Sequence, residues 1–473
     1  KHQGKPVYLE GEWNFYPYQL ILPGQSQGES MMPLSVPGTW NQKLGTGLGY
    51  GTYRLRIPSP NGPLKDKIFG LKVHDMATAF TIYWNGKKIA ETGVVAKHKE
   101  EAKPSYLFHL VPLIWNQGEN ELIIHVSNFH HDKGGMWEPP LFGEWEALQK
   151  LYLRDIASSL FLAGAVFIIA LYHLGLYYWR RIDRGNLLFG LAAIVLSIRT
   201  LVTGERYIFN EYESVLTWDI CLRIEYFTFY LSPYLFFAFF KAFYPRYYPN
   251  WMTWSLLTPT IIFLGLLFFS STTFFTSTNP FFNIVLLYGI IIILQGVFRA
   301  VWNREEGSIL FSMGISVMAI ATLIDILNAY QILFSIEAIP VGIFLFILIQ
   351  SLTLSRKFSR TFSEVETLSK RLLAMDKLKD EFLANTSHEL KTPLNGIIGI
   401  AESMFDGIGG SLNGEQRQNI GMIISSGKRL ASLVDDILDF SKMKNRDLNL
   451  ELRSINLQQV TDLVIVISRP LFL

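Results

Sequence analysis

DEFLANTSHELKTPLNGIIG, residues 380–399, decides how the carboxyl-terminal part of this chain folds. Apolar or small residues recur at Leu383, Ser387, Leu390, Leu394, Ile397, Ala401 and Met404, alternately four and three positions apart, which predicts a helix packed along one seam. With Ser387 opening the heptad, His388 takes the next position and turns to solvent. Thr392 follows one turn later on the same face, and Glu389 sits beside the histidine. An exposed imidazole next to a carboxylate is a plausible nucleophile, because the acid can hold one ring nitrogen as N–H and leave the other lone pair free. An ordinary surface histidine would look the same. Pro393 lies inside the helical run, where a proline costs roughly 3 kcal/mol, and predicts a bend.

The seam extends both ways. Upstream, Phe358, Thr361, Val365, Leu368, Leu372, Met375, Lys379 and Phe382 alternate by three and four, the signal of a parallel two-stranded coiled coil over 358–379. That register misses Leu383 by one residue, so the seam slips just ahead of His388, where a helix can switch between two packings. Downstream, DGIGGSLN (406–413) breaks the helix and Asn413 can cap a second one, whose seam runs Ile420, Ile423, Gly427, Leu430, Val434, Ile437 and Ser441. Two helices with one seam each predict an α-helical hairpin over 380–445 that becomes a four-helix bundle in a homodimer.

The string FLANTSHELKTPLNGIIG closely resembles the phosphoacceptor box of sensor histidine kinases. The resemblance implies that His388 takes the γ-phosphoryl group of ATP, that Glu389 is the adjacent activating acid, that Thr392 aids dephosphorylation of the partner, and that Pro393 bends the helix. It further implies ATP and Mg as cofactors and a response-regulator receiver domain as partner. Residues 446–473, with LNLELRSINL from 448 and a short apolar helix after it, resemble the opening of the ATP-binding domain of such kinases. The asparagine-bearing helix for Mg²⁺ and the glycine-rich nucleotide segments do not follow, so the expectation is a piece of a longer protein-histidine kinase. The alternatives are a non-enzymatic seven-helix receptor and a phosphotransfer scaffold served by a separate kinase subunit.

A multidomain membrane protein is expected, since the apolar residues, including most of the 35 phenylalanines, concentrate between about 155 and 355. Seven apolar runs, near 156–179, 187–204, 218–241, 252–271, 280–302, 308–334 and 339–356, predict a seven-helix domain over 151–357. The odd connections and the exit carry Arg180, Arg181, Arg184, Lys241, Arg246, Arg299, Arg304, Arg356, Lys357 and Arg360, against Arg206 alone on the even ones. That bias places the amino terminus outside an inner (plasma) membrane and the carboxyl terminus in the cytoplasm. Within the spans, Arg199, Glu225 and Asp325 are costly residues in the outer half, and Arg199 is expected to pair with at least one of the acids, as a relay or as helix glue. A transporter is disfavoured, because no broken segments recur in two matching halves.

Residues 1–150 read as an all-β, jelly-roll-like sandwich. TYRLRI (52–57), KIFGLKV (67–73), AFTIYW (79–84) and NELIIHVSNF (120–129) alternate as strands, with turn signals at Pro-Gly 37/38, Asn-Gly 61/62 and Asn-Gly 85/86. VPGTWNQ (36–42), GYGTYRLRI (49–57), TIYWNGKKIAETG (81–93) and VSNFHHDKGG (126–135) resemble the sugar-binding-like sandwich found outside the membrane in seven-transmembrane receptors with diverse intracellular signalling modules, itself similar to the sandwich of family-2 glycosidases. Trp40, Tyr50, Trp84 and Trp137 are candidates for an aromatic platform under a carbohydrate or other small extracellular ligand, though each also suits core packing. His130, His131 and Asp132 do not make a metal site by spacing, and no metal is expected. No carboxylate pair suited to glycoside hydrolysis stands out, so binding is favoured over hydrolysis. The only cysteine, Cys221, permits no internal disulfide. A polar start at Lys1 leads us to expect a removed export signal, and a net charge of +2 asks for no nucleic-acid partner.

Overall fold

The computed structural model describes residues 6–25, 30–58, 68–116, 118–179, 181, 184–212, 215–305, 307–329, 338–444 and 454–468. The chain divides into two compact units, residues 1–357 and 358–473.

The first unit opens with twelve described strands: β1 (Val7–Tyr8), β2 (Gly11–Pro17), β3 (Met32–Val36), β4 (Gly38–Thr39), β5 (Gly49–Pro58), β6 (Phe69–Val73), β7 (Ala79–Trp84), β8 (Lys87–Thr92), β9 (His109–Leu113), β10 (Glu119–Asn128), β11 (Gly135–Met136) and β12 (Leu141–Glu144). They form a six-stranded sheet in the order β3-β2-β5-β10-β7-β8 and a four-stranded sheet in the order β1-β12-β6-β9, with β4 and β11 paired separately. Every pairing is antiparallel. The predicted strands stand where alternation put them, and the sandwich of the sequence reading is present. Asn85 and Gly86 turn β7 into β8 with φ of 48° and 88°, the left-handed pair that a two-residue hairpin needs. The Asn-Gly turn at 61/62 lies outside the described residues.

Inward-facing residues close the sandwich around Trp13, Phe15, Trp40, Tyr53, Leu71, Val73, Phe80, Ile82, Trp84 and Ile124. Alternation along β6 sends Leu71 and Val73 into this core and Lys72 to the opposite face. That face is covered too. Helix α1 (Trp145–Trp179) starts directly after β12 and packs beneath β6, so closely that a Cβ on Gly70 would stand 2.8 Å from the Trp145 ring. At 35 residues α1 is about 52 Å long, well beyond a hydrocarbon core of about 30 Å. The surplus at its start forms the platform on which the sandwich rests, and the helix begins several residues before the predicted boundary at 151.

Six further helices complete the bundle: α2 (Arg184–Val202), α3 (Trp218–Phe243), α4 (Asn250–Phe269), α5 (Asn279–Trp302), α6 (Ser308–Ala329) and α7 (Ile339–Phe405). All of the seven except α3 are long and apolar enough by composition to cross a membrane. Helix α3 carries Asp219, Arg223, Glu225 and Lys241, yet it is central, and its buried Phe236, Phe237, Phe239 and Phe240 join one core with residues from every other helix of the bundle. Helices therefore occupy all seven predicted positions, and residues 330–334 of the sixth lie outside the described residues.

The second unit holds the later turns of α7, then α8 (Gly414–Lys444) and α9 (Leu457–Ser468). Helix α7 is 67 residues long and includes Pro393 within it. Most of the strand expected from 448 lies outside the described residues.

Candidate functional site

The hairpin of α7 and α8 is built by a glycine-rich turn. Gly407 and Gly410 take φ of 89° and 117°, and the Gln416 N–H donates to Asn413 Oδ1 (2.7 Å) while the Asn413 N–H donates to Gln416 Oε1 (3.0 Å). This reciprocal cap satisfies the first turn of α8. Both predicted seams are real, and each divides in two. Ser387, Leu394 and Ala401 are buried against α8, together with Ile398, and Ile420, Gly427 and Val434 are buried against α7. A Cβ on Gly427 would stand 2.7 Å from Ile398 Cγ1, so the glycine allows the closest approach of the two helices. The interleaved residues Leu390, Ile397, Met404, Ile423, Leu430 and Ile437 remain exposed on the single chain.

His388 is exposed, one position from the buried Ser387, as its place in the heptad predicted. Glu389 is exposed beside it, and among the described residues neither side chain has a hydrogen-bond or ion-pair partner. Thr392 Oγ1 donates back to the His388 carbonyl at 3.2 Å. Pro393 lacks the N–H that would reach the Glu389 carbonyl one turn earlier, so the ladder is interrupted directly beside His388. Lys391, to which the sequence assigned no role, pairs with both carboxylate oxygens of Asp435 on α8 (2.8 and 3.0 Å), and Lys428 pairs with Glu402 at 2.6 Å. Lys391 is thereby committed to holding the hairpin, and no described residue around His388 forms a cradle for a nucleotide.

Residues 378–446 match the His Kinase A (phospho-acceptor) domain model, and residues 156–357 match the model for 7TM diverse intracellular signalling. The chain therefore joins a stretch similar to the histidine-kinase phosphoacceptor domain to a membrane domain similar to the 7TM diverse intracellular signalling type. Among the relatives, the non-motile and phage-resistance protein of Caulobacter vibrioides is 41% identical over 98 residues, 20% of this chain and 12% of that protein. The autoinducer 2 sensor kinase/phosphatase LuxQ of Vibrio cholerae is 36% identical over 95 residues, 20% of this chain and 11% of that protein. The chain thus spans about a tenth of the length of these relatives. A GH2 β-galacturonidase from Eisenbergiella tayi aligns over 30% of this chain and 24% of its own at 16% identity and a TM-score of 0.22; the sandwich assignment rests on the strand pairing described above.

The other candidate residues are dispersed. Trp40 and Trp84 are core. The Trp40 Nε1–H donates to the Gly47 carbonyl (3.0 Å) and its ring stacks on Phe15, while the Trp84 Nε1–H donates to the Ile114 carbonyl (2.7 Å) and its ring packs on Trp115. Each indole is bonded and packed inside the sandwich and buried from solvent, which corrects the four-residue platform. Tyr50 meets Tyr18 edge-on, and Trp137 lies by His131 against the core shared with the membrane helices. His130 and His131 turn to different partners, Trp218 and Trp137.

In the bundle, Arg199 Nη1 donates to the backbone carbonyl of Glu225 at 3.2 Å. Of the two acids expected as its partners, Glu225 also places Oε2 3.2 Å from Arg206 Nη1, and the oxygens of Asp325 also accept the N–H groups of Ala338 (2.7 Å) and Ile339 (3.0 Å) at the start of α7. Arg199, Glu225 and Asp325 are neighbours, lining one cavity of about 160 Å³ with Asn279, Thr322 and Ile339.

Sequence reasoning missed the docking of sandwich on bundle. Lys72, only 2% exposed, pairs with Glu205 and stands 3.6 Å from Asp155 of α1. Arg206 binds Asp75 of the β6–β7 loop at 3.3 Å, and its guanidinium lies 3.8 Å from the centre of the Tyr106 ring. Burial alone would lower the Arg206 pKa; Asp75, Glu225 and Tyr106 more than reverse this, so the guanidinium stays charged. The available signal was Arg206 itself, the lone base on the connections that are otherwise acidic.

Proposed function

We propose that this chain is the sensing and phosphoacceptor part of a two-component sensor kinase in which His388 receives the γ-phosphoryl group of ATP and passes it to an aspartate of a response regulator. The observation that carries the reading is the exposed imidazole of His388 on a helix whose neighbouring face is fixed by Ser387, Leu394 and the Lys391–Asp435 pair. A nucleophile presented this way can be reached by a separate nucleotide-holding domain and then by a receiver domain. ATP and Mg²⁺ arrive as substrate, held by residues other than those of the described hairpin. Glu389 orients the ring once the reacting groups are assembled, and Thr392 serves the reverse step.

The exposed halves of the two seams, with Phe358, Val365, Leu368, Leu372 and Met375 upstream of the slip, leave apolar residues exposed on both sides of it. Pairing with a second copy completes the four-helix bundle. The sandwich lies outside an inner (plasma) membrane and α8 lies in the cytoplasm, as loop charge requires. A small molecule or carbohydrate bound by the sandwich is the input. Incubating the full-length protein with radiolabelled Mg·ATP tests the assignment: acid-labile, base-stable label on His388, absent from His388→Ala, is expected. Label that survives the substitution overturns it and favours a receptor whose bundle only dimerises.

A further inference from the structure

The docking between sandwich and bundle has a specific architecture. Asp75 Oδ1 accepts the Ala77 N–H at 3.0 Å, folding the β6–β7 loop into a tight turn, and the Ala77 carbonyl accepts the Trp218 Nε1–H of α3 at 2.8 Å. Ala77 is buried in a core shared with Val202, Cys221, Leu222, Tyr226 and Tyr230 of the bundle. On the other side stands Arg206. Both Ala77 and Arg206 are held in left-handed backbone, with φ of 60° and 49°. Non-glycine residues keep such a conformation only where the surroundings over-determine it, and the clustering of two at one interface marks that interface as a constrained element.

From Arg206 a line of polar contacts leads inward. Its guanidinium meets the Glu225 carboxylate, the Glu225 carbonyl receives Arg199, and Arg199 lines the cavity that Asp325 also lines. Asp325 caps the two N–H groups at the start of α7, where a carboxylate is favoured by the helix dipole. Helix α7 is the one whose later turns carry His388. An apolar bundle offers these groups few alternative partners, so a change at one is felt by the next.

We propose that Arg206 is the coupling residue between the outer sandwich and the signalling helix: held by Asp75 of the β6–β7 loop and by Glu225 of α3, it ties the docked sandwich to the polar groups that end on the cap of α7. The proposal deepens the sensor-kinase reading and rests on it for the meaning of α7. A sandwich movement that withdraws Asp75 leaves the guanidinium to Glu225 alone, and the rearrangement passes through Arg199 to the cavity and the cap. Arg206 acts through these groups and touches no reacting atom.

Hydrogen exchange on the full-length protein in lipid nanodiscs tests this, comparing wild type with Arg206→Gln and Asp75→Asn. Expected is a rise of about fivefold or more in exchange both in the β6–β7 loop and over residues 338–342 in each variant. Protection of β10 reports that the sandwich is folded. If Arg206→Gln loses that protection, Asp75→Asn, which leaves the cation its Glu225 partner, decides. Faster exchange in the loop with wild-type exchange over 338–342 overturns the proposal. A His388 phosphorylation assay on the same samples separates the two ideas, because absence of label in every protein, wild type included, would sink the kinase reading while the exchange result still reports on the coupling.

Discussion

At the scale of single residues, the hairpin is set by packing more than by charge. The Lys391–Asp435 pair is part-exposed on both sides, 42% and 46%, so Lys391→Ala should shift unfolding of the hairpin by less than about 1 kcal/mol. Gly427→Leu, which drives a side chain into Ile398, should cost about 1–3 kcal/mol by chemical denaturation. His131 supplies a pH dependence. Burial, the first cause, lowers its pKa to about 3, and the Lys133 N–H donates to its Nδ1 at 3.0 Å, which keeps the ring neutral. The unfolded chain takes up this proton near pH 6.5 and the folded one does not, so this contribution to stability is intact above about 6.5. It falls as pH drops from there towards about 3, by at most about 1.4 kcal/mol per unit. Thermal unfolding of the sandwich across that range should show the decline, and His131→Phe should flatten it. The position of His388 was legible because a heptad assigns faces. The fate of Trp40 and Trp84 was not, since a tryptophan in a strand pattern serves a core or a platform equally well until the opposite sheet is in place.

At the scale of elements, α7 carries the argument. Its residue pattern gave a membrane span, a coiled-coil stretch and a phosphoacceptor segment, and the structure places all three on one helix. If signalling runs through helix packing along 358–379, inserting or deleting a single residue between Phe358 and Met375 turns His388 by about 100° relative to the membrane spans. Kinase output should then change strongly with phase and recover near a seven-residue insertion; an output indifferent to phase excludes transmission through packing. The seams were legible as positions, while their division into a half buried within the hairpin and a half left exposed was not, because both ask for the same residue types. Lys72 shows the same limit. Alternation placed it on the outward face of β6, and only the arrival of α1 and Glu205 explains why that face is buried.

At the scale of the whole molecule, the docked sandwich and the membrane helices of residues 1–357 share buried ion pairs. Removing one partner should be far worse than removing both charges: Lys72→Met strands the buried Glu205 carboxylate and should cost about 3–5 kcal/mol, whereas the double replacement Lys72→Met/Glu205→Leu should be tolerated. Thermal unfolding in detergent or nanodiscs compares them. The account as a whole holds that the sandwich and His388 lie on opposite sides of one membrane and that phosphate is received on the inner side. The most direct measurement is labelling by Mg·ATP of membrane vesicles of known sidedness containing the full-length protein. Inverted vesicles, with the cytoplasmic face outward, should take label at His388, and sealed right-side-out vesicles should take none until made permeable. Labelling of His388 in intact right-side-out vesicles, or label in inverted ones that persists in His388→Ala, would contradict the account.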